Sequence, residues 1–377
     1  MSRKAVFPFL LSLMVILSAC TFPFSATPTV TPIPPTIAPS LPPPTVQPPT
    51  NTPVPPTNTP IPPTNTPIPT SSISIVSFPY AAGTYIDDRS TPWEVIVSLF
   101  NAVSSKQYSR AYGYWNNPAV SFSDYAAGYK DTGTVNLVFG QITSSGAAGS
   151  IYYTVPVILQ AFATNGVQAN YAACYIVRYV QAGNFGAPPF QPMGIDQGTA
   201  TNISLSANIS AALSTACNGM PSGANPVAIT ANNLNIDKNN YLDNRSGAIE
   251  TVSSLLNSLN LKQYVRAYYY FQAPATYPGN FTTWSNGFSN TDTITVTFGA
   301  VQQEGAAGSL YSKVPLAEVV TTTSATTQTF VGCYTLRLGQ PANQMTPPFQ
   351  PMGIIAGTFT QVANGTDVGS MLPTACP

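Results

Sequence analysis

The sequence contains no histidine and little charge of either sign. Its 377 residues include 13 basic and 13 acidic side chains, so charged residues are 7% of the chain, against about 25% in ordinary soluble proteins. The absence of histidine removes the commonest general base and metal ligand. Without a basic patch the chain has little to neutralise phosphates, so we expect no nucleic-acid partner. No residue pattern indicates a catalytic constellation, a metal site or a cofactor.

The first 19 residues have the features of an export signal. Arg3 and Lys4 precede an uncharged, mostly apolar run, Ala5 to Ala19, which is short for a membrane-spanning helix of about 20 residues. The run ends in Leu17-Ser18-Ala19-Cys20, which resembles the lipobox of bacterial lipoprotein precursors. The resemblance implies cleavage before Cys20, lipid on its thiol and a place on the extracytoplasmic face of the cell membrane. An ordinary secretory signal with an incidental cysteine is the alternative.

Thr21, not aspartate, follows that cysteine. In lipoproteins of cells with two membranes, this would permit sorting to the outer membrane.

Proline and threonine dominate the next segment, 20–72. Pro49-Thr50-Asn51-Thr52-Pro53 recurs every seven residues, beginning again at Pro56 and Pro63. Since proline excludes a helix, this composition predicts a disordered, semi-rigid polyproline II linker. About 48 residues at about 3.1 Å each would reach on the order of 150 Å. We therefore predict a stalk that holds the rest of the chain away from the membrane.

The remaining chain is an internal duplication. Lys106-Gln107-Tyr108-Ser109-Arg110-Ala111-Tyr112 recurs 156 residues later as Lys262-Gln263-Tyr264-Val265-Arg266-Ala267-Tyr268. Pro188-Pro189-Phe190-Gln191-Pro192-Met193-Gly194 recurs 159 residues later, from Pro347 to Gly353. The second copy therefore carries three extra residues, which fall near 276–280. We predict two tandem domains, 73–220 and 228–377.

The cysteines agree with this division. Beyond Cys20 there are two in each copy, Cys174 with Cys217 and Cys333 with Cys376, and each pair is separated by 43 residues. In an oxidising compartment this predicts one disulfide per repeat. Closing a loop of that length stabilises a domain by about 4 kcal/mol in the chain-entropy model.

Each repeat is predicted to begin with helices and continue with strands. Thr91-Pro92-Trp93-Glu94 is typical of a capping box, and apolar residues then recur at helical spacing. A second amphipathic turn covers Tyr108 to Trp115, and a short third helix holds Phe122, Tyr125 and Tyr129. From Val135 the period changes to two, which predicts an antiparallel meander. The fold class is therefore α+β.

The chain resembles the NTF2-like (SnoaL-like) superfamily in this order of elements, in the Lys-Gln-Tyr-x-Arg-Ala-Tyr turn and in the aromatic third helix. The strand motifs Val155-Pro156-Val157 and Cys174-Tyr175-x-x-Arg178 are part of the same resemblance. The resemblance covers both repeats. It implies cone-like domains, in which N-terminal helices pack on a curved antiparallel sheet that leaves a pocket at the wide end. It implies no activity, because that superfamily contains enzymes, binding modules and spacers.

Aromatic residues of helices two and three are the candidates for lining such a pocket. They are Tyr112, Trp115, Phe122 and Tyr125 in the first repeat, and Tyr268, Phe271, Phe281 and Trp284 in the second. Packing in the core is the alternative. Enzymes of the superfamily place an Asp in the cone, and Asp124 and Asp131 are nearest to that position. Because the second repeat has Thr283 and Asn290 there, we assign these carboxylates a helix-edge or surface role.

Two further features have structural interpretations. Charges present in both repeats include Asp87, Arg89 and Arg110, which we expect to tie the N-terminal segment to helix two. The Gly146–Ser150 segment lacks the lysine and the helix of a phosphate-binding loop, so we predict a hairpin turn.

For function, the sequence favours non-catalytic binding of a small molecule, a peptide or another envelope component. An NTF2-like isomerase, cyclase or hydrolase with a cone-lining Asp or Tyr, and a pure spacer or adhesin, remain alternatives. Binding predicts an aromatic-lined cavity. Catalysis predicts a buried carboxylate with a raised pKa beside one. A spacer predicts filled domains with a large shared interface.

Overall fold

The computed structural model describes residues 83–230 and 234–376 in full, together with the backbone of Val76–Phe78. The predicted signal peptide, Cys20 and the proline-rich segment lie outside the described residues. The described residues all belong to one compact unit, 69–377. No helix among them combines the length and the apolar character needed to cross a bilayer.

In the described part of the first repeat, four helices accompany a seven-stranded sheet. The helices are α1 (Pro92–Ser104), α2 (Tyr108–Tyr112), α3 (Phe122–Gly128) and α4 (Ile209–Thr215). The strands are β1 (Val76–Phe78), β2 (Thr132–Phe139), β3 (Ile142–Ala147), β4 (Ser150–Ala163), β5 (Gln168–Val180), β6 (Gly194–Ile203) and β7 (Asn225–Val227).

The second repeat has α-helices and strands in the same order as α1–α3 and β2–β6, and its described residues include no α-helix equivalent to α4 and no strands equivalent to β1 and β7. Its helices are α5 (Ala248–Asn260), α6 (Tyr264–Tyr268) and α7 (Phe281–Asn286). Its five-stranded sheet contains β8 (Thr291–Phe298), β9 (Gln302–Ala306), β10 (Ser309–Thr322), β11 (Thr327–Gly339) and β12 (Gly353–Val362). Both sheets are antiparallel. The predicted α+β class is thus confirmed for both halves.

Helix α1 begins where the capping box places it. Thr91 Oγ1 accepts a hydrogen bond from the Glu94 amide at 3.3 Å and donates one to Glu94 Oε2 at 2.8 Å. Pro92 occupies the first helical position, where no amide hydrogen is needed. The helix then buries Ile96, Leu99 and other apolar residues against the sheet. Burial, and the charge of the neighbouring Asp88, raise the pKa of Glu94.

A proline lies within the longest strand of each sheet, where that strand changes partner. Strand β4 pairs with β3 through residues 150–154 and with β2 from Val157 onward, so Pro156 lies between the two ladders. Pro315 has the same place in β10, between its pairings with β9 and β8. Because a proline has no amide hydrogen to donate, this gap is where the strand tolerates it.

The predicted hairpin turn and both predicted disulfides are present. Ala148 and Gly149 have positive φ angles of 46° and 72° between β3 and β4, which pair directly on either side. Cys174 bonds Cys217, and Cys333 bonds Cys376, with sulfur–sulfur distances of 2.09 and 2.03 Å. Each bond attaches the C-terminal segment of its repeat to the fifth or eleventh strand. Helix α4, which leads to Cys217, was not predicted.

Candidate functional site

The two repeats meet through their N-terminal segments, which run antiparallel to each other. The Arg89 amide donates to the Asp243 carbonyl, and the Arg245 amide donates to the Asp87 carbonyl, both at 2.7 Å. At the centre, Asn244 Nδ2 donates to Asp88 Oδ2 at 2.6 Å. The hydrogen bond from Arg89 to Asp243 is thus equivalent to the one from Arg245 to Asp87, with the two repeats exchanged. The junction therefore has approximate two-fold symmetry.

A buried arginine holds each N-terminal segment on the helices of its own repeat. Arg266 Nη1 donates to the Leu242 carbonyl at 2.8 Å, and its Nη2 donates to Asn257 Oδ1 at 2.7 Å. Arg110 makes the equivalent bonds to the Ile86 carbonyl and to Asn101 Oδ1. Both arginines are at most 1% exposed. This matches the expectation that Arg110 ties the N-terminal segment to helix two.

Asp87 completes the junction on the side of the first repeat. It accepts hydrogen bonds from the hydroxyls of Tyr114 at 2.7 Å and Tyr85 at 3.0 Å, and Arg89 Nε lies 4.0 Å away. Burial and the Asp87 charge raise the pKa of both tyrosines. Asp243 accepts the equivalent bond from Tyr270 at 2.9 Å. These tyrosines remain neutral hydrogen-bond donors to buried carboxylates.

Two clefts with equivalent linings lie at this junction. We call them the Ser109 cleft and the Val265 cleft, after residues at corresponding positions in the two repeats; their volumes are about 410 and 310 Å³. The Ser109 cleft is lined by Asp87, Arg89, Ser109, Arg110, Tyr112, Gly113, Trp115, Asn116, Pro118, Gln191, Pro192, Arg245, Tyr269, Pro347, Pro348, Phe349 and Pro351. The Val265 cleft is lined by Pro188, Pro189, Phe190, Arg245, Val265, Tyr268, Tyr269, Phe271, Gln272, Pro274, Phe349, Gln350, Pro351 and Gly353.

The repeated Pro-Pro-Phe-Gln-Pro-Met-Gly segments provide walls for both clefts. Pro188, Pro189 and Phe190 of the first repeat line the Val265 cleft, opposite the helices of the second repeat. Pro347, Pro348 and Phe349 line the Ser109 cleft, opposite the helices of the first. Each copy of the motif therefore lines a cleft together with helices of the other repeat.

A third pocket, of about 320 Å³, lies within the first repeat between the start of α3 and β6. It is lined by Trp115, Asn117, Pro118, Ala119, Val120, Tyr125, Asp196, Gln197 and Gly198. Trp115 therefore lines both this pocket and the Ser109 cleft.

The eight aromatic residues proposed to line a pocket divide into two groups. Tyr112, Trp115, Tyr125, Tyr268 and Phe271 line the clefts or the third pocket. Phe122, Phe281 and Trp284 pack on other aromatic rings instead. The Phe122 ring centroid lies 5.5 Å from that of Tyr112, and Phe281 and Trp284 lie 5.2 and 5.4 Å from Tyr268.

Asp124 and Asp131 lie on the surface. Asp124 caps the first turn of α3, where its carboxylate accepts the Ser121 hydroxyl at 2.7 Å, and Asp131 is exposed before β2. Neither contributes to the core or to the pockets described above.

Glu318 is a half-buried residue with one fully buried carboxyl oxygen, and the sequence did not predict it. It lies on β10 in phase with Val314 and Leu316, which belong to the core of the second repeat. Its Oε1 is fully removed from solvent and has no hydrogen-bond partner among the residues that the structure describes. Because burial disfavours the charged form, the pKa of Glu318 rises to about 7. The alignment of the repeats could have identified it, because Leu159 occupies the equivalent position.

Two tyrosines interact electrostatically with Glu318. Burial and its charge raise the pKa of Tyr277 and of Tyr334. Gly357 on β12 leaves room for both rings, because a Cβ at that position would overlap with the Tyr277 hydroxyl. Tyr277 belongs to the three-residue insertion of the second repeat, so this group has no counterpart in the first.

Four other residues of the junction were not predicted from the sequence. Asn101 and Asn257 bind the buried arginines, and Tyr114 and Tyr270 bind the buried carboxylates. The duplication could have identified them, since each pair recurs at the offset of 156 residues that separates the two Lys-Gln-Tyr-x-Arg-Ala-Tyr motifs.

In comparisons with known proteins, no protein family, no curated protein and no solved structure matches the chain. Within the described residues, no group of three His, Cys, Asp or Glu side chains is placed to hold a metal ion.

Proposed function

We propose that this protein is a non-catalytic ligand-binding module displayed at the cell envelope. In this proposal, Cys20 carries the lipid anchor and the proline-rich segment is the stalk. The two repeats are NTF2-like domains, and the α+β order with an antiparallel sheet supports that assignment. The disulfides support an oxidising, extracytoplasmic location.

The pair of clefts at the junction carries the binding proposal. Their volumes of about 410 and 310 Å³ fall within the range of small-molecule sites, which occur preferentially at interfaces between domains. Aromatic and proline side chains provide apolar walls, and a few polar groups such as Arg245 and Gln272 provide orientation. The ligand site therefore lies between the repeats in this proposal.

Binding in the clefts can be tested with benzamide, a small neutral aromatic probe. We expect it to bind with a dissociation constant on the order of 1 mM, because a fragment of this size gains only a fraction of a kcal/mol per atom. Ring signals of Tyr269 and Phe349 in NMR spectra should shift on titration. Phe349→Ala, which removes a wall of both clefts, should weaken binding, whereas Phe359→Ala, on β12, should not. An absence of shifts at the clefts would contradict the proposal.

The lipid anchor has a separate test. Cells grown with labelled palmitate should incorporate the label into the wild-type protein and not into Cys20→Ala, because only Cys20 is left unpaired by the two disulfides. Cys174→Ala together with Cys217→Ala is the matched control and should retain the label. Label on Cys20→Ala, or none on the wild type, would show that the anchor is wrongly assigned.

Glu318 favours a second candidate function, that of an enzyme in which the second repeat alone is active. A carboxyl group with a pKa of about 7 is suited to proton transfer near neutral pH. Tyr277 and Tyr334 would be its neighbours in such a site. Carbon NMR of the labelled carboxyl group should show Glu318 titrating near pH 7, with the signal missing in Glu318→Gln. Titration in the ordinary range of exposed glutamates would remove this candidate.

A further inference from the structure

The two junction clefts differ in polarity although their positions are equivalent. Ser109 lines one cleft where Val265 lines the other. Arg89 and Arg110 also line the Ser109 cleft, whereas Arg245, which lines both clefts, is the only arginine lining the Val265 cleft. The lining of the Ser109 cleft therefore contains more hydrogen-bond donors, and the Val265 cleft is lined mainly by aromatic and proline side chains.

Positive charge exceeds negative charge among the residues that line the Ser109 cleft. Its lining contains three guanidinium groups, of Arg89, Arg110 and Arg245, and a single carboxylate, of Asp87. The terminal nitrogens of Arg245 donate to the neutral carbonyls of Met352 and Tyr269, so those bonds leave its charge uncompensated. The equivalent carboxylate, Asp243, lines neither cleft.

Three donors in the residues lining this cleft have no partner. Ser109 Oγ, Arg110 Nε and Arg245 Nε are buried and make no hydrogen bond within the described part of the chain. These residues are 2%, 1% and 6% exposed. Buried donors left unpaired carry a desolvation cost, and native proteins generally satisfy them. Guanidinium groups donate best to an anionic oxygen, especially that of a carboxylate or a phosphate.

The walls of the same cleft are apolar. Tyr112, Trp115 and Phe349 lie around the donors, together with prolines from both repeats. A fully hydrated inorganic ion would gain nothing from such walls, whereas an apolar body would be removed from water on binding. The lining therefore fits a ligand with one anionic group and one apolar part.

We infer that the Ser109 cleft binds a small organic carboxylate. The carboxylate accepts hydrogen bonds from Ser109, Arg110 and Arg245, and its apolar part packs on Trp115 and Phe349. This inference rests on the proposed binding function, and it specifies the cleft and the chemical class of ligand.

The test compares benzoate with benzamide, which has nearly the same shape and no charge. The full chain is titrated with each compound in an isothermal calorimeter. We expect benzoate to bind about tenfold more tightly, because hydrogen bonds to an ionised acceptor are roughly twice as strong as neutral ones. Ser109→Val should reduce the affinity for benzoate about fivefold through loss of one such bond. Ser123→Val, at an exposed position of α3 that lines neither cleft, is the matched control and should leave that affinity unchanged.

Several outcomes separate this inference from the proposed function. Equal affinities for benzoate and benzamide would overturn the carboxylate inference and leave ligand binding in place. Binding of neither compound would overturn both. If Ser109→Val does not fold, as judged by its circular dichroism, Ser109→Ala removes the same hydroxyl without adding bulk. An unchanged affinity in the folded variant would show that Ser109 takes no part.

Discussion

Replacing Arg266 with methionine is expected to lower the free energy of unfolding by about 3–5 kcal/mol, because two buried oxygen acceptors each lose a hydrogen bond from a charged donor, worth about 1.5–3 kcal/mol. The side chain is completely buried and its guanidinium lies 4.5 Å from the centre of the Tyr241 ring. Methionine fills part of the volume but cannot donate to the Leu242 carbonyl or to Asn257, which would lose these bonds. Urea denaturation followed by circular dichroism measures the difference.

Arg337→Met is the matched control for this substitution. Arg337 is also an arginine of the second repeat, but it lies on β11, is only partly buried and donates to Ser309 Oγ at 3.0 Å. We expect a cost of about 1 kcal/mol there, as for one ordinary hydrogen bond. Equal losses for the two variants would show that the Arg266 bonds do not hold the N-terminal segment in place.

Replacing Glu318 with leucine is expected to make the protein more stable at pH 8 and to change little at pH 4.5. The pKa of Glu318 is raised from 4.5 to about 7 by burial, so the folded state holds its proton over a pH range in which the unfolded state has released it. The free energy of unfolding therefore falls as pH rises from about 4.5 through 7, by up to about 3 kcal/mol from this group. Leucine removes that contribution and is the residue that the first repeat has at the equivalent position.

The measurement is the difference in unfolding free energy between the variant and the wild type at several pH values. Glu94 also has a raised pKa, so the wild type retains a slope with pH even without Glu318, and only the difference isolates the one group. Glu304→Leu, on the exposed strand β9, is the control and should leave the slope unchanged. A difference that does not grow with pH would place the Glu318 carboxyl group in water.

Much of the local structure could be predicted from the sequence because short-range chemistry determines it. Thr91, Pro92 and Glu94 define the start of α1 within four residues, and the alternation from Val135 defines β2. The equal spacing of the cysteines, together with the duplication, predicted both disulfides. Helix α4 was missed although Ile209, Ala212 and Leu213 recur at helical spacing, because a seven-residue segment is shorter than the window of about 11–18 residues in which such a period is recognised.

The candidate clefts could not be predicted in the same way. They exist because Asp87 and Arg89 of one repeat pair with Asp243 and Arg245 of the other, an arrangement that brings together residues more than 150 positions apart. Neither periodicity nor spacing within a repeat indicates which surface meets the other copy. The proline-rich motif was visible as a repeat, but its position opposite the helices of the other copy was not.

The sequence by itself therefore determined the two repeats, most of their helices and strands, and the pairing of their cysteines, because each depends on neighbouring residues or on direct comparison of the copies. Only the tertiary structure decided where the repeats join and which cleft contains the unpaired donors. It also placed the Glu318 carboxyl group among apolar residues of the second sheet. Such environments depend on long-range packing, since burial and the partners of a polar atom are properties of the folded chain.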